Sequence, residues 1–139
     1  MIEKETIIRA FIEHFVLKDK AERSFLQLMH PKKRRKFTGC LNHQWDTVLD
    51  MRRLVPVGTS DDNADSIQRL LGFQDEESMY CISDYSAYDD KIMAFKGVFP
   101  SIYARGLGTI LINITADTLF LDTEPERGPA KRFTGRYRP

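Results

Sequence analysis

The segment 109–115, Thr-Ile-Leu-Ile-Asn-Ile-Thr, alternates strictly, and no other feature constrains the chain as much. Ile110, Ile112 and Ile114 fall on one side of an extended strand. Thr109, Leu111, Asn113 and Thr115 fall on the other. Ala116-Asp117 is a turn candidate, and residues 118–123 return as the partner strand. The pattern predicts a β-hairpin around Ile110–Leu121 with one buried face and one half-polar face. The half-polar face needs a cover: the C-terminal segment, a second subunit or a partner.

The N-terminal third has helical spacing. Ile7, Ile8, Phe11, Ile12, Phe15 and Val16 recur every three or four residues. Asp19 with Glu22 resembles a capping box for a second helix carrying Ala21, Phe25, Leu28 and Met29 inward. Pro31 stops that helix or opens a third, lined by Phe37, Cys40, Leu41 and Trp45. Residues 51–57 read as a short strand, with Pro56 at its end or on a sheet edge. Ser60, Asp61 and Asp62 mark a helix start, and Gly72 its C-terminal cap. Residues 78–83 read as a strand. Ser86 with Asp89 then opens a helix lined by Ile92, Met93, Phe95, Phe99, Ile102 and Tyr103. Pro100 kinks that helix or ends it early.

The expected fold class is α+β: three N-terminal helices, then a small, mainly antiparallel sheet of about four strands with helices packed on one face. Residues 1–124 form the domain, and the basic, Pro- and Gly-bearing residues 125–139 form an extended C-terminal tail. The strand–helix–strand passage over 78–115 also permits a parallel crossover, so strand order stays open.

Charge is distributed unevenly. Residues 1–60 sum to +5, residues 61–104 to −6, and residues 105–139 to +2. Such a chain folds into separate acidic and basic surfaces or interleaves them, and chain order does not choose. No apolar run approaches the ~20 residues of a membrane span. The first residues carry acids where a signal peptide has a basic leader. Cys40 and Cys81 form no Cys-x-x-Cys pair. These features predict a soluble, cytoplasmic protein with reduced thiols, no membrane association and no cofactor.

Two charged clusters are the site candidates. Lys32, Lys33, Arg34, Arg35 and Lys36 follow one another and suit phosphate contact with nucleic acid. On a helix, five consecutive cations spread round more than one turn, so they cannot all face one duplex. Asp84, Tyr85, Tyr88, Asp89 and Asp90 lie between a strand and a helix, where loops carry function, and suit a basic protein partner. Their spacing does not match a calcium loop. Cys40-x-x-His43 is half of a zinc spacing whose other half would need Cys81 and His30, so no metal site is expected. His43 near Asp46 has the makings of a base–orienter pair for Ser60 or Cys40, with no nucleophile elbow to complete it. Gly106 and Gly108 follow a helix rather than a strand, which excludes a phosphate loop.

The function expected from these features is a non-enzymatic cytosolic protein-interaction module, such as a regulatory or toxin-neutralising (immunity-type) protein. Its partner would be another protein or a second copy of itself, with the acidic 84–90 region as one contact surface. The first alternative is a nucleic-acid-binding accessory protein using the basic run and the basic tail. The second is a small enzyme or ligand-binding domain with a pocket beside the sheet.

Overall fold

The computed structural model describes residues 3–138. Three helices come first: α1 (Lys4–Phe15), α2 (Ala21–Met29) and α3 (Arg34–His43). The apolar stripe of α1 buries Ile7, Ile8, Phe11, Ile12 and Phe15. α2 stops just short of Pro31, as the proline requires. The Asp19 capping box does not form. Lys18–Lys20 is instead a 3₁₀ turn that runs directly into α2.

Next come β1 (Leu54–Pro56), α4 (Ala64–Leu71), β2 (Ser78–Ser83) and β3 (Lys91–Ala94). They are followed by α5 (Phe95–Ile102), β4 (Thr109–Asn113), β5 (Thr118–Asp122) and β6 (Arg132–Arg136). Asn63, not Ser60, caps α4: its side chain accepts from the Ser66 N–H at 2.9 Å. Gly72 ends the helix at φ 73°, the left-handed conformation that glycine adopts without a Cβ penalty.

The six strands form one antiparallel sheet in the order β1-β6-β5-β4-β2-β3. The expected hairpin is β4–β5, with Ile110 opposite Leu121. Two strands exceed the expected four. β3 replaces the start of the helix expected from Ser86. Asp90 takes φ 62° and turns the chain back, and Lys91 to Ala94 pair with Cys81 to Ser78. The helix waits until Phe95. β6 lies within the segment read as a tail and is an interior strand, paired with β5 on one side and β1 on the other. A Cβ on Gly135 would sit 2.6 Å from Leu54 Cδ2, so glycine permits the close packing of β6. β2 and β4 pair antiparallel, so the passage between them is not a parallel crossover.

Helices cover both faces of the sheet, not one. Tyr80, Ile82, Ile110, Ile112, Leu119, Leu121 and Phe133 face α1–α3. Met79, Cys81, Leu111 and Phe120 face α4 and α5, against Ile67, Leu71, Phe95, Val98, Phe99 and Ile102. The half-polar look of the second face misled because only part of it comes from β4. Cross-strand neighbours complete an apolar surface there. Each fully buried Leu, Ile or Phe contributes about 1.5–3 kcal/mol. Among the described residues no helix is long and apolar enough to cross a membrane.

β1 is an edge strand, as Pro56 suggested, and it is blunted. Leu54 directs its N–H to Met51 O, Pro56 has none, and Val57 donates to Arg132 O within the sheet. An incoming strand finds no donor at these residues.

Candidate functional site

The basic run and the acidic segment meet each other. Arg34 opens α3 and turns inward until it is only 4% exposed. Its Nε and Nη2 donate to the two Asp89 oxygens, both at 2.8 Å. Its Nη1 donates to Leu28 O at 2.8 Å and to the Tyr80 hydroxyl at 3.0 Å. Tyr80 donates in turn to Asp90 Oδ1 at 2.6 Å. One and two turns further along α3, Thr38 and Asn42 donate to the two oxygens of Asp84, each at 3.1 Å. Asn42 also accepts the Gly108 N–H at 2.6 Å. Arg34, Thr38 and Asn42 thus form one polar stripe at four-residue spacing. That spacing is present in the sequence, where four further cations beside Arg34 mask it.

Burial and its partners shape the electrostatics here. Burial opposes the Arg34 charge, but the Asp89 hydrogen bonds and the nearby Tyr80, Asp89 and Asp90 outweigh it, so its pKa is raised. Burial chiefly raises the Tyr80 hydroxyl as well, keeping it a proton donor to Asp90. The neighbouring Cys81 thiol is pushed up to about 12 by burial.

Of the five residues expected to meet a partner, Asp84 and Asp89 therefore face Arg34, Thr38 and Asn42 within the chain. Asp90 is more open and also lies 3.7 Å from Lys4. Tyr85 and Tyr88 are half-buried, with edge-to-face rings and the Tyr85 hydroxyl on Arg105 O. Within the chain, α3 supplies a guanidinium to Asp89 and two neutral donors to Asp84.

The rest of the basic run points outward. Lys32, Lys33, Arg35 and Lys36 are exposed. Lys33 and Lys36 line a groove of about 460 Å³ with Asp19 and with Glu22, Arg23, Leu26 and Gln27 of α2, three cations against two acids. Leu26 stands 54% exposed among them; Val55 and Leu70 are the other large apolar side chains left exposed among the described residues.

A larger cleft, about 800 Å³, opens at the far end of α3. Half-buried Trp45 forms one wall, its ring 5.0 Å from that of Phe133 and under Lys131 Nζ at 6.0 Å. Met51, Pro56 and Val57 continue the apolar lining. Arg132 forms a polar flank. Its Nε lies 2.9 Å from Asp122 and its Nη1 2.8 Å from Asp62, with Tyr103 beneath the guanidinium. Asp122 is 1% exposed, and burial pushes its carboxyl above the usual value despite the Ala104 N–H and Arg132.

His43 does line a cavity with Asp46, beside Trp45. Its ring nitrogens, however, face Glu124 at 3.4 Å and Glu126 at 3.5 Å rather than Asp46. Cys40 donates to Lys36 O and carries no paired base. Cys40 and Cys81 are free thiols. Among the described residues no group of three His, Cys, Asp or Glu side chains is placed to hold a metal. The tail residues are engaged with the domain. Arg136 donates to Leu70 O and Leu71 O at the end of α4, and Tyr137 stacks on His14 at 3.8 Å.

No protein-family model, no curated protein and no solved structure matches the chain.

Proposed function

We propose that the protein is a cytosolic, non-catalytic interaction module that docks an acidic protein partner on the α2–α3 face, as a regulatory or toxin-neutralising protein would. The observation that carries this reading is Leu26, exposed on α2 and facing a groove with Lys33 and Lys36 on its α3 side. An apolar anchor inside a charged rim is the arrangement from which interfaces draw affinity and specificity. Covering Leu26 contributes about 1 kcal/mol by apolar burial. The exposed cations speed encounter with an acidic partner and orient it.

The test is comparative affinity capture, followed by titration with the purified partner. Leu26→Asp and the pair Lys33→Glu/Lys36→Glu each weaken binding at least tenfold, while Leu70→Asp on α4 leaves it unchanged. If Leu26→Asp binds the same partner as tightly as wild type, the proposal fails. The four exposed cations also favour a second reading, nucleic-acid contact. That reading predicts steeply salt-dependent polyanion binding that is lost in the lysine variants and kept in Leu26→Asp.

A further inference from the structure

We infer that the Trp45 cleft binds a neutral, flat aromatic molecule that carries a hydrogen-bond acceptor such as a ketone or amide carbonyl. The site lies apart from the α2–α3 face, at the other end of a helix about 15 Å long. Its volume, about 800 Å³, falls within the range of small-molecule pockets. Trp45 and Phe133, with ring centroids 5.0 Å apart, form an aromatic corner, and Met51, Pro56, Val57 and Ala130 extend the apolar lining. An aromatic body packs there by apolar burial and ring contact. At β1, Leu54 and Val57 commit their N–H groups within the chain and Pro56 has none. An extended peptide therefore gains no donors from that edge, and the cleft suits a compact ligand.

The charges around the cleft answer one another, which selects a neutral occupant. The Arg132 guanidinium is shared: Nε lies 2.9 Å from Asp122 and Nη1 2.8 Å from Asp62. Asp62 also accepts the Tyr103 hydroxyl at 2.6 Å. Burial raises the Asp122 carboxyl above its ordinary value, which weakens the excess of negative charge in this group. At the mouth, Lys131 and Asp46 are both exposed and opposite in sign. An ion entering the cleft gives up water and meets no unanswered counter-charge, whereas a neutral molecule has less hydration to lose. Arg132 still has a donor to offer, because Nη2 takes part in neither ion pair. Two carboxylates hold that guanidinium in place before a ligand arrives, which lowers the ordering cost on binding. A carbonyl oxygen accepts from such an N–H without needing a net positive charge.

The probes are propionyl-dimethylaminonaphthalene, dimethylaminonaphthalene without the acyl group, the matching dimethylaminonaphthoate, and naphthyltrimethylammonium. Each is titrated into the isotope-labelled full chain and followed by amide and indole N–H resonances, with circular dichroism as the control for structure. Trp45 is the only tryptophan, so its indole signal is unambiguous. The ketone shifts the Trp45 indole and the amides of Met51, Val57 and Phe133. It binds about two- to tenfold tighter than the ring without the acyl group, as one neutral hydrogen bond implies. The naphthoate and the ammonium each bind at least about threefold more weakly than the ketone. Trp45→Ala weakens ketone binding about tenfold. Lys131→Met and Asp46→Asn, both at exposed positions, change it by less than about twofold. The inference is overturned if the ketone leaves the Trp45 indole unshifted, if either ion binds as tightly as the ketone, or if the acyl group adds no affinity.

Discussion

Replacing Arg34 with methionine tests the central structural claim, that the basic and acidic clusters are wired to each other. The guanidinium is 4% exposed and makes four hydrogen bonds, two to Asp89, one to Leu28 O and one to Tyr80. Methionine fills similar space but donates nothing. Asp89 keeps the Ser83 N–H as a donor at 3.0 Å and loses its counter-charge. Leu28 O loses the donor that Arg34 supplies. Removing one member of such a buried pair costs about 3–5 kcal/mol. For a chain of this size that lowers Tm by roughly 10–20 °C. Urea unfolding followed by Trp45 fluorescence and far-ultraviolet circular dichroism measures the cost directly. Asp89→Asn keeps an acceptor for Ser83, and the double variant costs about 1–3 kcal/mol less than the sum of the singles. Arg35→Met is the control: its side chain is 76% exposed, so stability changes by less than about 0.5 kcal/mol. If Arg34→Met costs under about 1 kcal/mol, or if the cycle is additive, the two clusters are not energetically coupled and the reasoning fails.

Two further outcomes follow from the packing and the turn. Gly108→Ala puts a Cβ 2.5 Å from the Leu41 backbone carbon, which cannot swing aside, and costs about 1–3 kcal/mol. Gly39→Ala meets open space inside α3 and stabilises by about 0.5–1 kcal/mol; thermal melts of both variants check the contrast. In the β4–β5 turn, hydrogen bonds from Asn113, Thr115 and Thr118 hold the Asp117 carboxyl below its ordinary 3.8. A lowered acid contributes stability that is fully present above the unfolded pKa and is lost as pH falls through the folded one. Asp117→Asn is therefore less stable than wild type at neutral pH, and the gap closes on acidification below about 3.8. A gap that does not vary with pH in denaturant titrations would show that the carboxylate charge plays no part.

Much of the architecture was legible locally. The period of Ile7, Ile8, Phe11, Ile12 and Phe15 defined α1, Gly72 closed α4, Pro56 marked an edge, and the alternation at 109–113 marked the hairpin. The two strands without a local signal, β3 and β6, are short. Ile92 and Met93 of Lys-Ile-Met-Ala continue the apolar spacing of the helix that follows, Arg-Phe-Thr-Gly-Arg has Phe133 as its one large apolar residue, and both are strands because β2 and β5 offer them a paired edge. The two-sided burial of the sheet was hidden for a related reason. A face is assembled across β2, β4 and β5, so the polar residues of one strand do not describe it.

The sequence by itself determined the elements whose signal lies within a few residues: helical stripes, the Gly72 C-terminal cap, the β4–β5 turn and one alternating strand. It also determined that opposite charges are concentrated in different parts of the chain. Only the tertiary structure decided what those charges do. In the sequence, Lys32 to Lys36 are five equivalent cations and Asp84, Asp89 and Asp90 are three equivalent acids. Folding lays α3 across the end of β2, so Arg34 becomes a buried partner of Asp89 while its neighbours remain in water. The Trp45 cleft arises in the same way, from residues near 45, 57 and 132 that meet only when β6 inserts beside β1. Local sequence governs backbone conformation through short-range sterics and hydrogen bonds. Which side chains share a pocket depends on where distant segments pack.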